Sequence, residues 1–309
     1  MHPEKANKPI SAVVLGMESE VIAAHMKHAA VSYTHLTLMR DKVFPLLDRG
    51  ERIFLILIDN FRWDQWLAVQ EMLSGLFTFD DGMYTAILPT ATQYARNAIF
   101  SGLMPLEIAK TFPELWVDEE SEEGKNLNEE PMIASLLKRY RKPYSFAYRK
   151  VYETSFGERL LAQLNELEDN QLNVIVLNFV DMLSHARTES KMIRELASSE
   201  AAYRSLTQSW FRHSTTYRLC EQIAQMGAKI ILTTDHGTVR VRKPGKIVGN
   251  RNTSVSYTHL ASMERVLSYI VTSLSLQTLA TSRDLYRVDP MAKRLWSMPR
   301  RNQPQRIRP

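Results

Sequence analysis

Residues 53–59 read Ile-Phe-Leu-Ile-Leu-Ile-Asp, a short apolar run that stops at a carboxylate. A continuous apolar run of this length indicates a strand buried on both faces, as in a parallel sheet. The pattern recurs where Val174–Phe179 leads to Asp181 and where Lys229–Thr234 leads to Asp235. Because sites in open α/β sheets form at the carboxyl ends of parallel strands, we expect the three aspartates to meet at one edge.

The segments between these runs show the apolar spacing and the glycine stops of amphipathic helices. Strands that alternate with helices predict an α/β fold, a three-layer sandwich in which a mostly parallel central sheet is covered on both faces. Polar and acidic residues predict a surface loop over residues 114–130. The predicted helices are residues 41–50, 62–76, 93–101, 131–140, 154–167, 189–197 and 200–226, and the further strands are residues 84–88 and 144–148.

The positive charge of the chain is concentrated near its C-terminal end. The whole sequence has 39 basic and 34 acidic residues, a net charge of +5. Residues 282–309 hold eight basic and two acidic residues, so the remaining chain has a net charge of −1. A basic tail can bind nucleic acid, but a solvated end is the simpler interpretation.

The cysteine content and the hydropathy predict a cytoplasmic protein that does not enter a membrane. Cys220 is the only cysteine, so an internal disulfide cannot form, which fits a reducing compartment. The sequence has no run of 18 apolar residues, which a membrane-spanning helix would need. Residues 1–30 lack the continuous apolar segment of a signal peptide.

One hexapeptide, Val-Ser-Tyr-Thr-His-Leu, occurs twice, at residues 31–36 and 255–260, without similarity around either copy. Natural repeats are longer and more diffuse, whereas a perfect short copy resembles translated adapter sequence from sequencing reads. Coincidence, or a real short motif used twice, is the alternative. We therefore expect residues 1–36 to be a non-homologous or artefactual segment, residues 37–254 to form the domain, and residues 255–309 to be a suspect basic tail.

Thr92 lies where a predicted strand gives way to a predicted helix, in the sequence Leu-Pro-Thr-Ala-Thr of residues 88–92. A hydroxyl at a helix N-terminus faces free backbone amides and the positive end of the helix dipole, a place that suits phosphate. A divalent cation can hold such a hydroxyl as an alkoxide and make it a nucleophile. The alternative is that Thr92 only caps the helix.

Carboxylates and imidazoles occur together at two of the strand ends. Asp181 and His185 are four residues apart, so a helical turn would place them on one face. Asp235 and His236 follow a buried strand directly, and Gly237 permits a sharp turn beside a ligand. Oxygen and nitrogen ligands in this combination favour zinc or manganese over magnesium or calcium. The Asp181–His185 spacing alone is also common on helix surfaces.

Four segments in this order resemble the alkaline phosphatase superfamily and, within it, the PglZ-type domains. The likeness extends over about residues 37–254, and it includes the effector domains of response regulators linked to type IX secretion. The segments that carry it are residues 56–66, 87–105, 178–189 and 233–237.

The resemblance implies an alkaline-phosphatase-like fold and a two-metal phosphoric ester hydrolase, a phosphodiesterase or phosphatase. Thr92 would attack phosphorus and form a phosphothreonine, which water would then cleave. Arg96 and Asn97 would contact phosphoryl oxygens, although an arginine at this place is otherwise a surface residue. The cofactors would be two divalent ions, zinc or manganese. The implied ligands are Asp59, Thr92, Asp235 and His236 for the first ion, and Asp181 and His185 for the second.

The sequence departs from the family pattern at two places. The family supplies a further histidine to the second metal, but the similarity ends near Ser254, His259 lies in the repeated hexapeptide, and His213 reads as structural. The domain would then be C-terminally truncated, with an under-ligated second metal and reduced or lost activity. A response regulator also carries a receiver domain, for which residues 1–36 are too short.

Three functions remain open on the sequence. The first is a hydrolase that serves as the output domain of a two-component response regulator. The second is a catalytically weak or inactive signalling or protein-binding module that controls type IX secretion. The third is a phosphosugar mutase, although no sugar-recognition element is identifiable. Expected partners are a phosphate-ester or oligonucleotide-like substrate and signalling proteins, and a homodimer is compatible with the sequence.

Overall fold

The computed structural model describes residues 10–16, 36–84, 91–117 and 126–238, the first of these ranges by its backbone alone. All of these residues lie in one compact unit of the chain. Strands and helices alternate along them, which confirms the predicted α/β class.

Among the described residues, six strands form one sheet, and every neighbouring pair is parallel. The strands are β1 (Ile10–Gly16), β2 (Ile53–Ile58), β3 (Phe77–Met83), β4 (Phe146–Val151), β5 (Leu172–Leu177) and β6 (Lys229–Thr233). Their order across the sheet is β3-β1-β6-β2-β5-β4, so the three strands that lead to the aspartates lie next to one another.

The helices cover both faces of this sheet. No helix within the described ranges is long and apolar enough to span a lipid bilayer. A π-helical turn at Met39–Val43 precedes the first α-helix, and a 3-10 turn at Leu164–Leu167 follows the sixth. The α-helices of the described residues are α1 (Phe44–Leu47), α2 (Trp63–Leu73), α3 (Thr92–Ser101), α4 (Pro105–Thr111), α5 (Glu129–Arg139), α6 (Thr154–Ala162), α7 (Phe179–Glu189), α8 (Lys191–Leu196), α9 (Glu200–His213) and α10 (Thr215–Gln225).

Strand β2 separates two hydrophobic cores. Successive side chains of a strand point to opposite faces of the sheet. Phe54 and Ile58 therefore pack in one core with α2, α6 and α10, while Leu55 and Leu57 pack in the other with α1, α3 and α5. Because both faces are covered, all six residues of β2 are buried, and the strand needs a continuous apolar run.

Strand β3 is not among the strands that the sequence predicts. The prediction of a strand at 84–88 is wrong for Tyr84, because β3 ends at Met83, and residues 85–88 lie outside the described residues. Strand β3 contains two aspartates and a glycine, which disfavour a strand. It is nevertheless an edge strand, where charges are tolerated, and Asp81 accepts a hydrogen bond of 3.2 Å from Trp66 Nε1.

The predicted helix at 200–226 is two helices. The break falls at Ser214, whose hydroxyl accepts a hydrogen bond of 3.2 Å from the backbone N–H of Thr216 and so caps α10. The helical spacing of apolar residues continues across this break, which is why the periodicity alone does not reveal it. Similarly, β5 ends at Leu177, so Phe179 begins helix α7 instead of closing the strand.

The predicted surface loop at 114–130 is corrected at its C-terminal end. Residues 118–125 lie outside the described residues, but Glu129 begins α5 and is buried. At the N-terminal end of the chain, β1 lies between β3 and β6 although it belongs to the segment 1–36. The proposed boundaries at 36 and 254 stay predictions.

Candidate metal centre and nucleophile

The register of β2 and β6 places two aspartates side by side. Leu57 pairs with Thr233 in the register of the two strands. Asp59 and Asp235 each lie two residues after this pair. The backbone N–H of Asp59 donates a hydrogen bond of 2.9 Å to the carbonyl of Leu177 at the end of β5. The carboxyl ends of three adjacent parallel strands therefore converge at this point, as the sequence predicts.

Asp59, Asp235 and His236 form a buried cluster of groups that can hold a metal ion. One ligand atom from each lies within 4.8 Å of the others, and within the described part of the chain no other acidic or histidine group of three does so. Nε2 of His236 lies 3.5 Å from Oδ1 of Asp59. Two carboxylates and one imidazole are ligands that zinc and manganese accept.

The carboxylate of Asp235 is oriented by two backbone amides. Its Oδ1 accepts hydrogen bonds from the N–H of His236 at 2.9 Å and from the N–H of Asn60 at 3.2 Å. Asn60 has a φ of 59°, a left-handed conformation that asparagine tolerates better than most residues. Its backbone amide can therefore point back toward the end of β6.

Hydrogen bonds of Thr234 connect the same two strand ends. The Thr234 hydroxyl accepts a hydrogen bond of 2.9 Å from the N–H of Phe61 and donates one of 2.7 Å to the carbonyl of His236. These bonds satisfy backbone groups that leave the sheet at the site, where an unpaired buried group would cost free energy. The loops after β2 and β6 are thus held as a unit.

Thr92 is the first residue of α3, and its hydroxyl faces the cluster. Ala91 occupies the N-cap position, so the capping alternative does not describe Thr92. The hydroxyl Oγ1 lies 2.8 Å from His236 Nε2 and 3.3 Å from Asp59 Oδ1, to which it donates a hydrogen bond. A nucleophile candidate, a helix N-terminus and the metal-ligand cluster therefore occur in one place.

Arg96 lies one turn along α3 and is 1 % exposed, so it is not a surface residue. Its guanidinium donates a hydrogen bond of 3.1 Å from NH1 to Asp59 Oδ2, and its Nε lies 3.7 Å from Asp235 Oδ2. Asn97 is buried beside it on the same helix. Contact of Arg96 and Asn97 with a substrate phosphoryl group stays a prediction.

Asp181 and His185 lie near this cluster but are not members of it. Both are on α7, with His185 Nε2 3.5 Å from Asp181 Oδ2, and the His185 side chain is 68 % exposed. The Asn60 side chain donates a hydrogen bond of 3.1 Å to Asp181 Oδ1. A second metal at this pair stays a prediction, and His259 lies outside the described residues. His213, at the end of α9, is exposed.

The cluster carries negative charge, and burial makes this charge energetically unfavourable. Burial and the neighbouring Asp235 carboxylate raise the pKa of Asp59 to about 7, against the opposing effects of Arg96 and His236. Asp235 Oδ2 is buried and accepts no hydrogen bond from any residue that the structure describes. Both features fit a site whose carboxylates bind a cation, because a cation would compensate the charge and occupy the unpaired oxygen.

Glu129 also belongs to this region, although it is not among the predicted site residues. Its Oε1 lies 2.6 Å from Arg96 Nε, and both side chains are buried. The signal that would have found it is its spacing from apolar residues of α5. Glu129 precedes Met132, Ile133 and Leu136 at intervals of three, four and seven, which places it on the buried face of the helix.

A parallel sheet that brings carboxylates and an imidazole together beside a hydroxyl at a helix N-terminus agrees with the alkaline-phosphatase-like fold that the sequence predicts. The family described as the BREX system PglZ alkaline phosphatase-like domain matches residues 38–283, and the chain belongs to this family. No curated protein matches the chain. Alkaline phosphatase-like domains usually bind divalent metals, and the buried cluster of Asp59, Asp235 and His236 agrees with this.

Proposed function

We propose that this protein is a metal-dependent phosphoric ester hydrolase, a phosphodiesterase or phosphatase, in which Thr92 is the nucleophile. The observation that carries the proposal is the position of the Thr92 hydroxyl, 2.8 Å from His236 Nε2 and 3.3 Å from Asp59 Oδ1. A threonine that served only helix stability would not need a buried carboxylate and an imidazole at its oxygen.

In the proposed reaction, Thr92 Oγ1 loses its proton and forms a bond to phosphorus while the ester bond breaks, and the leaving oxygen takes up a proton and departs as an alcohol. Water then cleaves the resulting phosphothreonine and returns a proton to Oγ1, so the enzyme is regenerated. A divalent ion, when bound, supplies charge that lowers the pKa of the hydroxyl and stabilises the phosphoryl oxygens. Asp59, Asp235 and His236 would hold this ion, and zinc or manganese suits their atoms.

The residues around Thr92 would orient the phosphoryl group. The first backbone N–H groups of α3 have no partner within the helix, and they point toward its N-terminus, where they can bind anionic oxygens. The buried charge of Arg96 lies one turn away and adds to the positive potential there. Asp181 and His185 are the proposed ligands of a second ion, and Asn60 connects them to the first cluster.

The proposed biological role is that of an output domain in a two-component response regulator similar to PorX, which is linked to type IX secretion. The support is the sequence likeness of four segments, among them residues 56–66 and 178–189. The coding sequence that flanks this chain tests the role. A receiver domain upstream would support it, and neighbouring genes of a BREX system without any receiver domain would contradict it.

A second candidate function is a weak or inactive signalling and protein-binding module on the same fold. It is favoured by one observation, that Asp181 and the exposed His185 do not join the cluster of three ligands. A two-metal reaction needs both sets of ligands close to one phosphoryl group. A protein with only the first set would bind one ion and turn over slowly or not at all.

The hydrolase is tested by measuring zinc content and the hydrolysis of bis(p-nitrophenyl) phosphate by wild-type protein and by Thr92→Ala. Thr154→Ala is the matched control, because Thr154 is also the first residue of a helix but is exposed. We expect turnover that depends on zinc or manganese, that falls at least about 100-fold in Thr92→Ala, and that is unchanged in Thr154→Ala.

Each outcome separates the two candidates. Equal turnover by wild type and Thr92→Ala would remove Thr92 as the nucleophile. Metal binding without turnover of phosphomonoesters or phosphodiesters by the wild type would favour the signalling module. Trapping of a phosphorylated Thr92 peptide by acid quench and mass spectrometry would support the covalent step directly.

A further inference from the structure

Glu129 is a buried glutamate with three partners on two different elements. Its Oε1 lies 2.6 Å from Arg96 Nε, and its Oε2 lies 3.2 Å from Lys150 Nζ and accepts a hydrogen bond from the Tyr148 hydroxyl. Tyr148 and Lys150 belong to the edge strand β4. A glutamate that is 1 % exposed needs such partners, since an unpaired buried charge is strongly unfavourable.

The Arg96 guanidinium lies between Glu129 and the metal-ligand cluster. Its Nε is closer to Glu129, at 2.6 Å, than to Asp235, at 3.7 Å, while its NH1 reaches Asp59 at 3.1 Å. An arginine guanidinium stays protonated in proteins, whether it is buried or exposed. The positive charge of Arg96 therefore interacts with Glu129 on one side and with Asp59 and Asp235 on the other.

The ion pairs of Arg96 affect how strongly the two aspartates can bind a cation. Asp59 and Asp235 can bind a divalent ion only to the extent that Arg96 does not already neutralise them. A carboxylate beside the guanidinium competes with the two aspartates for its positive charge. Glu129 is itself fixed by Lys150, whose Nζ also donates a hydrogen bond of 2.9 Å to the carbonyl of Asn126.

We propose that Glu129 is a positioning residue of the metal centre, which holds the Arg96 guanidinium so that Asp59 and Asp235 keep the charge needed to bind a divalent ion. This inference rests on the proposed metal site but not on turnover. Replacing Glu129 by glutamine keeps its shape and removes its charge. Among the described residues, Arg96 then keeps Asp59 and Asp235 as its carboxylate partners, and it competes more strongly with the ion.

The test is the affinity of the full-length chain for Zn²⁺, measured by competition with a chromogenic chelator. We expect Glu129→Gln to weaken zinc binding about 10–100-fold, the range typical of residues that support metal ligands. The matched control is Glu130→Gln, which changes an exposed glutamate in the same helical turn. Glu130→Gln is expected to bind zinc as tightly as the wild type does.

Two further variants distinguish this role from a purely structural one. Arg96→Met removes the competing charge, so it is expected to bind zinc at least as tightly as wild type. The double variant Arg96→Met/Glu129→Gln is expected to do the same, and it remains informative if Glu129→Gln alone fails to fold. If the role of Glu129 were purely structural, the double variant would lose zinc affinity as Glu129→Gln does.

The outcomes separate this inference from the proposed function. A wild-type protein that binds no zinc contradicts the metal site itself. A wild type that binds zinc, together with Glu129→Gln of equal affinity, contradicts only the role of Glu129. A double variant that binds zinc at least tenfold more weakly than wild type also overturns the inference, because Glu129 would then act without Arg96.

Discussion

The side-chain amide of Asn60 donates a hydrogen bond of 3.1 Å to Asp181, a residue 121 positions away in the sequence. The backbone amide of Asn60 donates at the same time to Asp235, at 3.2 Å. One residue in a left-handed conformation therefore connects the Asp181–His185 pair to the cluster of buried ligands. The two sets of proposed metal ligands are neighbours because of this turn after β2.

Replacement of Asn60 separates its backbone role from its side-chain role. Asn60→Gly keeps the left-handed conformation and loses the hydrogen bond to Asp181, whereas Asn60→Ala loses the bond and also strains the backbone. We expect Asn60→Ala to be less stable than Asn60→Gly by about 1 kcal/mol in urea unfolding. Equal stability of the two variants would contradict the role of the positive φ angle.

The pKa of Asp59 predicts a pH-dependent stability for the metal-free protein. Burial and Asp235 raise this pKa to about 7 in the folded state, whereas an unfolded aspartate has a pKa near about 3.9. The folded protein binds the proton more tightly, so the contribution of Asp59 is complete below about pH 4 and is lost as the pH rises through about 7.

Asp59→Asn cannot titrate and serves as the reference for this effect. The free energy of unfolding of wild type relative to Asp59→Asn should decrease from pH 4 to pH 8, by up to about 4 kcal/mol. The measurement is urea unfolding at several pH values with a chelator present. Parallel stability curves for the two proteins would contradict the raised pKa.

Zinc should stabilise the folded protein through the three clustered ligands. A ligand that binds only the folded state at 100 times its Kd adds about 2.7 kcal/mol to the free energy of unfolding. We expect an increase in the thermal midpoint on adding zinc, reversal by a chelator, and loss of the increase in His236→Gln. An equal increase in wild type and His236→Gln would place the ion elsewhere.

Gly157 is required by close packing of α6 against α10. A Cβ at this position would meet Thr215 Oγ1 at 2.1 Å and Thr215 Cβ at 2.9 Å, whereas a Cβ at Gly75 would meet nothing within 4 Å. We expect Gly157→Ala to destabilise the protein by about 1–3 kcal/mol. Gly75→Ala is the control, with a change within about 0.5 kcal/mol, measured by chemical denaturation. Similar values for both would contradict this packing.

The central strands and their aspartates follow from the sequence because both faces of β2, β5 and β6 are buried. Such strands need continuous apolar runs, and the carboxylates that follow the runs of β2 and β6 are visible in the sequence without coordinates. Parallel pairing then brings Asp59 and Asp235 to one edge. The apolar sequence pattern of these strands matches the burial that the sheet requires, so the predicted strands are confirmed.

Local composition does not predict the features that depend on a tertiary partner. Strand β3 includes Asp80 and Asp81, and it forms because it lies at an edge where Trp66 Nε1 donates a hydrogen bond to Asp81. Glu129 lies in an acidic stretch that reads as solvated, yet Arg96 and Lys150 compensate its buried charge. These partners are distant in the sequence, so local composition wrongly predicts a loop or a solvent-exposed position.

A crystal structure of the chain grown with zinc, with anomalous difference maps recorded on both sides of the zinc absorption edge, tests the metal centre most directly. We expect an anomalous peak about 2 Å from a carboxylate oxygen of Asp59, one of Asp235 and the Nε2 of His236, next to the Thr92 hydroxyl. A fully occupied zinc ion bound elsewhere, with no peak among these three residues, would contradict it.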